Sequence, residues 1–416
     1  MEFSAFGRRY ARHTGALELM EDLGAAMARG GVHMLGGGNP AQIPELEAVY
    51  REEMARVLDD PARFRRMLGN YASPGGEDRF REALAALLNE HYGWNLSPAN
   101  IALTGGSQSG FFQLFNLLAG EMPDGSRRRI LLPLTPEYIG YGDTGVSTGM
   151  FSARRPEIEL LDERMFKYRV DFDALQPGSD TAAICVSRPT NPTGNVLTDD
   201  EMTRLSAIAR ARDLPLIIDN AYGLPFPRIV FNEINLHWDD NTILCMSLSK
   251  IGLPAVRCGI VIAREEIVQA LTAMNAVMSL AVPSVGPVLL ERLLASGELL
   301  RLSHEVIRPF YQARAERAVA WVHESLAGCD YRIHRPEGAL FLWLWFPGLP
   351  ISSQVLYERL KARGVLVLSG HYFFPGLEED DWRHKQECIR VTYSQDEATV
   401  REGIRIVGEE VRAAAG

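Results

Sequence analysis

The chain has 416 residues, 46% of them hydrophobic and 23% charged, enough to bury a large core and to divide into about two domains. Lys and Arg number 43 against 53 Asp and Glu, and the formal net charge of −10 argues against a general nucleic-acid or anionic-membrane surface. Five cysteines lack a C-x-x-C pair, nine histidines show no metal-ligand spacing, no apolar run reaches about 18 residues, and Met1 to Arg9 has no signal-peptide hydrophobic region. These features predict a cytoplasmic protein with reduced thiols and no metal site.

Near the start, Gly36-Gly37-Gly38-Asn39-Pro40-Ala41 formally satisfies G-x-G-x-x-A. Pro40 and Pro44 interrupt the helix that a dinucleotide site requires, and no apolar strand of normal length precedes it, so the segment does not read as a dinucleotide fold. From about residue 70 to 300, strand-like and helix-like runs alternate, which predicts a large α/β domain around a mostly parallel sheet. Its first strand is Asn100 to Thr104, followed by Gly105-Gly106-Ser107-Gln108-Ser109-Gly110 and a helical run from Phe111 to Leu118. Glycines and hydroxyls opening a helix make an anion site, because free N–H groups and the helix dipole point at the ligand; an ordinary glycine-rich turn is the alternative. Arg127-Arg128-Arg129, beside Asp124-Gly125-Ser126, reads as a solvated loop.

Ala182 to Val186 is a second apolar strand, ending near the turn Asn191-Pro192-Thr193-Gly194, and Thr198 with Glu201 forms a capping box for the next helix. Leu214 to Asp219 is a buried strand that ends in a carboxylate and then Tyr222, with Asp219 lying 28 residues after Asn191 and 31 before Lys250. Thr242 to Met246 leads into Ser247-Leu248-Ser249-Lys250, and Arg257 follows. In a doubly wound sheet, neighbouring strand ends share one crevice. An amine flanked by hydroxyls and a guanidinium is the set a pyridoxal phosphate site requires: the amine holds the aldehyde, and the others hold the phosphate. A buried Asp219 would keep the pyridine nitrogen protonated, and the Asn191 amide would donate to the phenolic oxygen. Taken singly, Lys250 also fits a solvated strand end and Asp219 a helix N-cap.

From Val285 to about Leu326 the pattern is helical, interrupted at Pro309, with an amphipathic period from Arg314 onward. This segment leads to a second domain with strands at Tyr331 to His334, Leu340 to Trp345 and Cys388 to Tyr393. Trp343 and Trp345 are predicted core residues. His371, Phe373 and Phe374 occupy a Gly/Pro-bounded loop, where facing a substrate and packing are open alternatives. The predicted division is 61–300 for the large domain and 1–60 with 301–416 for the small one.

The ordered set Tyr71, Gly106-Ser107-Gln108, Pro136-Glu137-Tyr138, Asn191 to Gly194, Asp219 to Tyr222, Ser247 to Lys250, Arg257 and Arg390 resembles that of the class I/II, fold type I aminotransferases over nearly the whole chain. Within that family, the stretches 36–40, 136–141, 336–343 and 370–376 resemble the valine–pyruvate aminotransferases. The resemblance implies a pyridoxal phosphate enzyme and a homodimer with shared active sites. Lys250 would bind the cofactor aldehyde and carry the α-proton, and Asp219 would pair with the pyridinium. Tyr222 and Asn191 would bond the phenolic oxygen, and Tyr138 would stack on the ring. The phosphate would lie among Ser107, Gln108, Ser247, Ser249 and Arg257, joined by Tyr71 of a neighbouring copy. Arg390 would bind the substrate α-carboxylate, with Gly38 and Asn191 completing that site. Six residues separate Lys250 from Arg257, one fewer than in many relatives.

Dicarboxylate-specific relatives supply a second arginine from a stretch that here reads Met274 to Pro283 and holds no cation. The expected reaction is therefore amino transfer between a small neutral amino acid and a 2-oxo acid, valine or alanine with pyruvate or 2-oxoisovalerate. A C–S β-lyase or related elimination, and a non-catalytic effector-binding module, are the alternatives.

Overall fold

A computed structural model describes residues 1–11, 21, 24 and 31–416. Its larger sheet has eight strands. Seven lie in the spatial order Ile101–Thr104, Gly259–Ile262, Thr242–Ser247, Leu216–Asp219, Thr181–Ser187, Arg127–Leu132 and Gly120–Glu121, with Phe151–Ala153 pairing on Arg127–Leu132. Gly259–Ile262 and Gly120–Glu121 run antiparallel to their neighbours, and the remaining pairings are parallel. The central strands are continuous apolar runs, as a sheet covered on both faces demands, and are buried along their whole length.

Helix Asp199–Ala211 connects Thr181–Ser187 to Leu216–Asp219, and its predicted Thr198/Glu201 capping box forms. The next parallel step, from Leu216–Asp219 to Thr242–Ser247, crosses without a helix: residues 220–241 run as turns and coil, pinned where the Asn220 amide donates to Leu224 O and the Ile229 N–H donates to Tyr222 O at 2.9 Å. The arginine triplet is not loop. Arg127, Arg128 and Arg129 open a strand, because the turn at Asp124-Gly125-Ser126 folds it back on Gly120–Glu121, and exposed charges suit a sheet edge.

The second sheet has six strands in the order Leu368–Ser369, Cys388–Thr392, Phe341–Trp345, Arg332–His334, Met165–Arg169 and Glu157–Leu160. The last two form a hairpin that comes from inside the 61–300 span and joins this sheet through a parallel pairing of Met165–Arg169 with Arg332–His334. Pro309 does not interrupt a helix. It sits in the first turn of helix Arg308–Ser325, and a wide π-turn over Ser303–Ile307 precedes it where an ordinary turn would require the missing N–H. That helix buries Tyr311, Ala315, Ala318 and Val322, one every three or four residues.

The N-terminal segment crosses between the two sheets. His33–Met34 pairs with Val365–Leu366, and Leu35 O accepts from the Thr392 N–H at 2.8 Å. A Cβ on Gly36 would stand 3.0 Å from Val367 O, so glycine lets this strand-like run lie close against the second sheet. One buried ion pair binds the layers together: the Lys167 ammonium meets the Glu337 carboxylate and donates to Val196 O at 3.0 Å, and the Val196 N–H donates to the same carboxylate at 3.0 Å. Removing one partner strands a buried charge, so Glu337→Ala should lower the unfolding free energy by about 3–5 kcal/mol in a urea titration. An unchanged midpoint would contradict this role.

Candidate active site

A cavity of about 440 Å³ opens at the C-terminal ends of the parallel strands. Gly38, Ser107, Gln108, Tyr138, Asn191, Asp219, Tyr222, Ser247, Ser249, Lys250, Arg257 and Arg390 all line it, and with them it gathers the whole predicted set except Tyr71. Tyr71 is 83% exposed and stands in a separate surface groove that shares Arg257 with the cavity.

Lys250 lies just past the end of its strand in a 3₁₀ turn, Ser249–Ile251, where the Ser249 N–H donates to Ser247 Oγ at 3.1 Å. Gly252, at φ +97°, reverses the chain into a second short turn, Pro254–Val256. Arg257 itself is left-handed, at φ +47°, and this bend returns its guanidinium to the opening of helix Ser107–Leu118. There Gly106, at φ +98°, holds a backbone conformation that favours glycine, and a Cβ would displace the Arg257 guanidinium. Helix N–H groups, serine hydroxyls and a guanidinium thus converge on one cradle with the chemistry of a phosphate site.

Asp219 is buried between Ser187 and Cys245, its register partners on the flanking strands. Tyr141 OH donates to its Oδ2 at 2.7 Å, and the Ala221 N–H donates to its Oδ1 at 3.1 Å. Burial raises its pKa; the two hydrogen bonds and the Lys250 charge pull the other way. Among the described residues no cation lies in ion-pair range of this carboxylate.

The Lys250 ammonium donates to Gly38 O at 2.7 Å and lies 5.4 Å from the centre of the Tyr222 ring. Its side chain borders the cavity, yet protein surrounds the amine. Burial, then the positive charge of Arg390, lowers its pKa to about 8; Asp219 opposes the shift and Arg257 adds to it. Arg390 spans the cavity end. Its Nη1 donates to Asn191 Oδ1 at 2.7 Å and its Nη2 to Gly36 O at 2.6 Å, with the guanidinium 3.9 Å from the Phe341 ring centre and 5.3 Å from that of Phe373. Its buried Nε has no partner among the described residues, and burial lowers its pKa to about 10. Because the Asn191 oxygen accepts from Arg390, the amide NH₂ is the end left to donate. Tyr138 walls the cavity, edge-on to Tyr141 at 5.4 Å, and burial raises the Tyr222 phenol well above its ordinary range.

Glu137, Tyr141, Ser187, Gly36, Phe341 and Phe373 serve this geometry without having been assigned roles from sequence. Strand register was the available signal for Ser187, which ends its strand directly opposite Asp219. Phe373 packs under Arg390, and the His371 ring bonds Ser369 Oγ at 2.8 Å, which places both on the packing side of the alternatives for that loop. Trp343 is buried in the core and donates to Tyr168 OH at 3.0 Å.

The fold and the site define an aminotransferase: residues 39–407 match the family of class I and II aminotransferases, and the chain belongs to it. It is 49% identical over 414 residues to valine–pyruvate aminotransferase of Escherichia coli K12, covering all of this chain and 99% of the relative. A putative amino-acid aminotransferase from Psychrobacter arcticum 273-4 has the same structure at a TM-score of 0.96, with 47% identity and coverage of 100% of this chain and 99% of that one. The valine–pyruvate aminotransferase of Salmonella typhimurium LT2 superposes at a TM-score of 0.89, with 48% identity, over 96% of this chain and 99% of that one.

A lysine with its pKa near 8 is half free amine at that pH. In the apoprotein, Lys250 should therefore react with a small aldehyde with a midpoint near pH 8, below the ordinary lysine range. Asp219→Asn removes the anion that favours the charged amine, so the midpoint should move lower still. A midpoint at the ordinary lysine value, or one that Asp219→Asn raises, would contradict the site electrostatics.

Proposed function

We propose that this aminotransferase uses pyridoxal phosphate to move an amino group between a small neutral amino acid, valine or alanine, and pyruvate or 2-oxoisovalerate. The observation that carries the reading is the buried, cation-free carboxylate of Asp219 facing the same cavity as Lys250 and Arg390. The donor set fits the cofactor: the Gly106–Arg257 cradle suits a phosphate, Asp219 a protonated ring nitrogen, and Tyr222 with the Asn191 amide a phenolic oxygen. The cofactor, when bound, supplies an aldehyde to carry the amino group and a ring to withdraw electrons from the α-carbon.

The residues of the chain divide the remaining work. Arg390, with its free Nε and with Nη groups already aimed by Asn191 and Gly36, receives the substrate α-carboxylate as a planar fork. Gly38 and Asn191 flank that carboxylate. Lys250, with its pKa lowered to about 8, takes and returns the α-proton near neutral pH. Tyr138, which walls the cavity, would cover a face of the ring and exclude water there. Ser107, Gln108, Ser247, Ser249 and Arg257 hold the phosphate.

A second copy of the chain completes the phosphate site in this reading. Tyr71 is exposed in one groove with Leu68 and Met278, exposed apolar side chains of the kind that copies of a chain bury against each other. We assign 61–300 to the cofactor-binding domain and 1–60 with 301–416 to the smaller one, with the Glu157–Arg169 hairpin as a strand pair lent to the second sheet. Five unpaired cysteines suit a reducing compartment such as the cytoplasm, and among the described residues no helix is long and apolar enough to cross a membrane.

Two outcomes test this. Borohydride treatment of the holoenzyme should fix the cofactor covalently to Lys250, and Lys250→Ala should abolish turnover while retaining cofactor; labelling at another lysine would overturn the assignment. Side-chain selectivity is set by charge. The cavity cations, Lys250, Arg257 and Arg390, are all committed, Met274 to Pro283 supplies none, and the rest of the lining includes Phe111, Ile139, Pro189 and Leu368. An unpaired substrate carboxylate costs ~3 kcal/mol, so kcat/KM for valine should exceed that for aspartate by about a hundredfold with pyruvate as acceptor. An aspartate value equal to or above that for valine would overturn the neutral-substrate reading.

A further inference from the structure

Glu137 is a buried carboxyl behind the site that none of the roles above uses. Its backbone N–H donates to Phe373 O at 2.8 Å, which ties it to the loop beneath Arg390. Its Oε1 accepts from the Ser187 N–H at 2.9 Å, and its Oε2 is in hydrogen-bond contact with Ser187 Oγ. Ser187 Oγ lies 3.4 Å from the Tyr141 oxygen, and Tyr141 OH donates to Asp219 Oδ2 at 2.7 Å. One line of oxygens thus runs from Glu137 through Ser187 and Tyr141 to the carboxylate assigned to the ring nitrogen.

Charge decides where the protons sit on that line. Among the described residues no Lys, Arg or His lies in ion-pair range of Glu137. The titratable groups around it are Asp219, Tyr138, Tyr141 and Cys185, none of them cationic, while Lys250, Arg257 and Arg390 stand on the cavity side of Asp219. Two carboxylates in one buried network without a counter-ion do not both ionise, and Asp219 is the one that faces a cation when the cofactor is bound. Burial, reinforced by the charge of Asp219 and opposed by the bonds from Ser187, raises the Glu137 pKa to about 8.

The proton count agrees. If Glu137 were anionic, the single Ser187 hydroxyl proton would go to it, and the Tyr141 oxygen would receive no donor from Ser187. With a proton on Glu137 Oε2, each hydroxyl spends its one proton on the next oxygen: Glu137 to Ser187, Ser187 to Tyr141, Tyr141 to Asp219.

We propose that Glu137 is a positioning residue held as the neutral acid, which starts a one-way donor chain through Ser187 and Tyr141 that keeps Asp219 ionised for the cofactor ring nitrogen. The second half of that statement rests on the pyridoxal phosphate reading; the protonation of Glu137 does not.

Infrared difference spectra of the apoprotein, wild type minus Glu137→Gln at pH 7, test the first half. A protonated-carboxyl band lost in the variant is expected, and Ser187→Ala should shift that band because it removes the acid's acceptor. Carboxylate bands in its place would overturn the proposal whatever the cofactor proves to be.

In the holoenzyme, the pH midpoint of the bound cofactor's visible absorption tests the second half. Glu137→Gln, whose amide N–H replaces the acid O–H, should leave the midpoint unchanged, whereas Ser187→Ala should move it by on the order of one pH unit. A midpoint that falls in Glu137→Gln would show that an anion had been removed. One that stays fixed in Ser187→Ala would show that the chain carries nothing to Asp219. Either result overturns the proposal.

Discussion

A carboxylate buried without a counter-ion, at the end of a central strand, is the constraint around which this structure is arranged. Asp219 is held by two hydrogen-bond donors, from Tyr141 and Ala221, and by no cation of the chain within ion-pair range among the described residues. Desolvating a charge in this way is expensive unless something else neutralises it. Around the same cavity stand Lys250, Arg257 and Arg390, with the first and last shifted toward their neutral forms by burial. The cavity is therefore an anion-seeking site with one anionic spot, and the proposed cofactor and substrate would satisfy it with a phosphate, a carboxylate and a cationic ring nitrogen. That complement is what separates this crevice from an ordinary strand-end pocket.

The second sheet brings Arg390 to that crevice. Arg390 lies in the middle of Cys388–Thr392, in register with Trp343 on one side and Leu368 on the other, so its backbone is locked from both directions. Phe341 and Phe373 hold the guanidinium on its flanks, and Gly36 O with Asn191 Oδ1 fixes its fork. Asn191 comes from the first sheet and Gly36 from the N-terminal segment. Three parts of the chain far apart in sequence thus agree on one guanidinium orientation. Preorganisation of this kind would let the residue bind the proposed substrate carboxylate without rearranging in the act.

The strands that end at the site were legible because each is a short apolar run closed by a chemically distinctive residue. Asp219, Lys250 and Asn191 could be placed in one crevice from the parallel-sheet rule, and the capping box at Thr198 fixed the intervening helix. Arg390 was harder: an arginine on a strand reads as surface charge, and only the family pattern singled it out. Glu137, Ser187 and Tyr141 were hidden because their function depends on register and on a 3₁₀ turn, which composition does not show. Helical continuity past Pro309 depended on a π-turn with no sequence mark, and the strand character of Arg127 to Arg129 depended on an edge pairing that charge alone concealed. The Glu157–Arg169 hairpin joins a sheet whose other strands lie more than 150 residues downstream, a long-range pairing that local patterning cannot reveal.

In the proposed reading, Arg390, Lys250 and Asp219 together hold a bound amino acid for amino transfer. A single-turnover experiment tests it most directly: the holoenzyme is mixed with one equivalent of valine and no acceptor, and both the cofactor spectrum and the released products are followed. Conversion of the cofactor to its amine form, 2-oxoisovalerate formed in equal amount, no ammonia, and recovery of the original spectrum on adding pyruvate are predicted. No conversion of the cofactor with either valine or alanine would contradict the account.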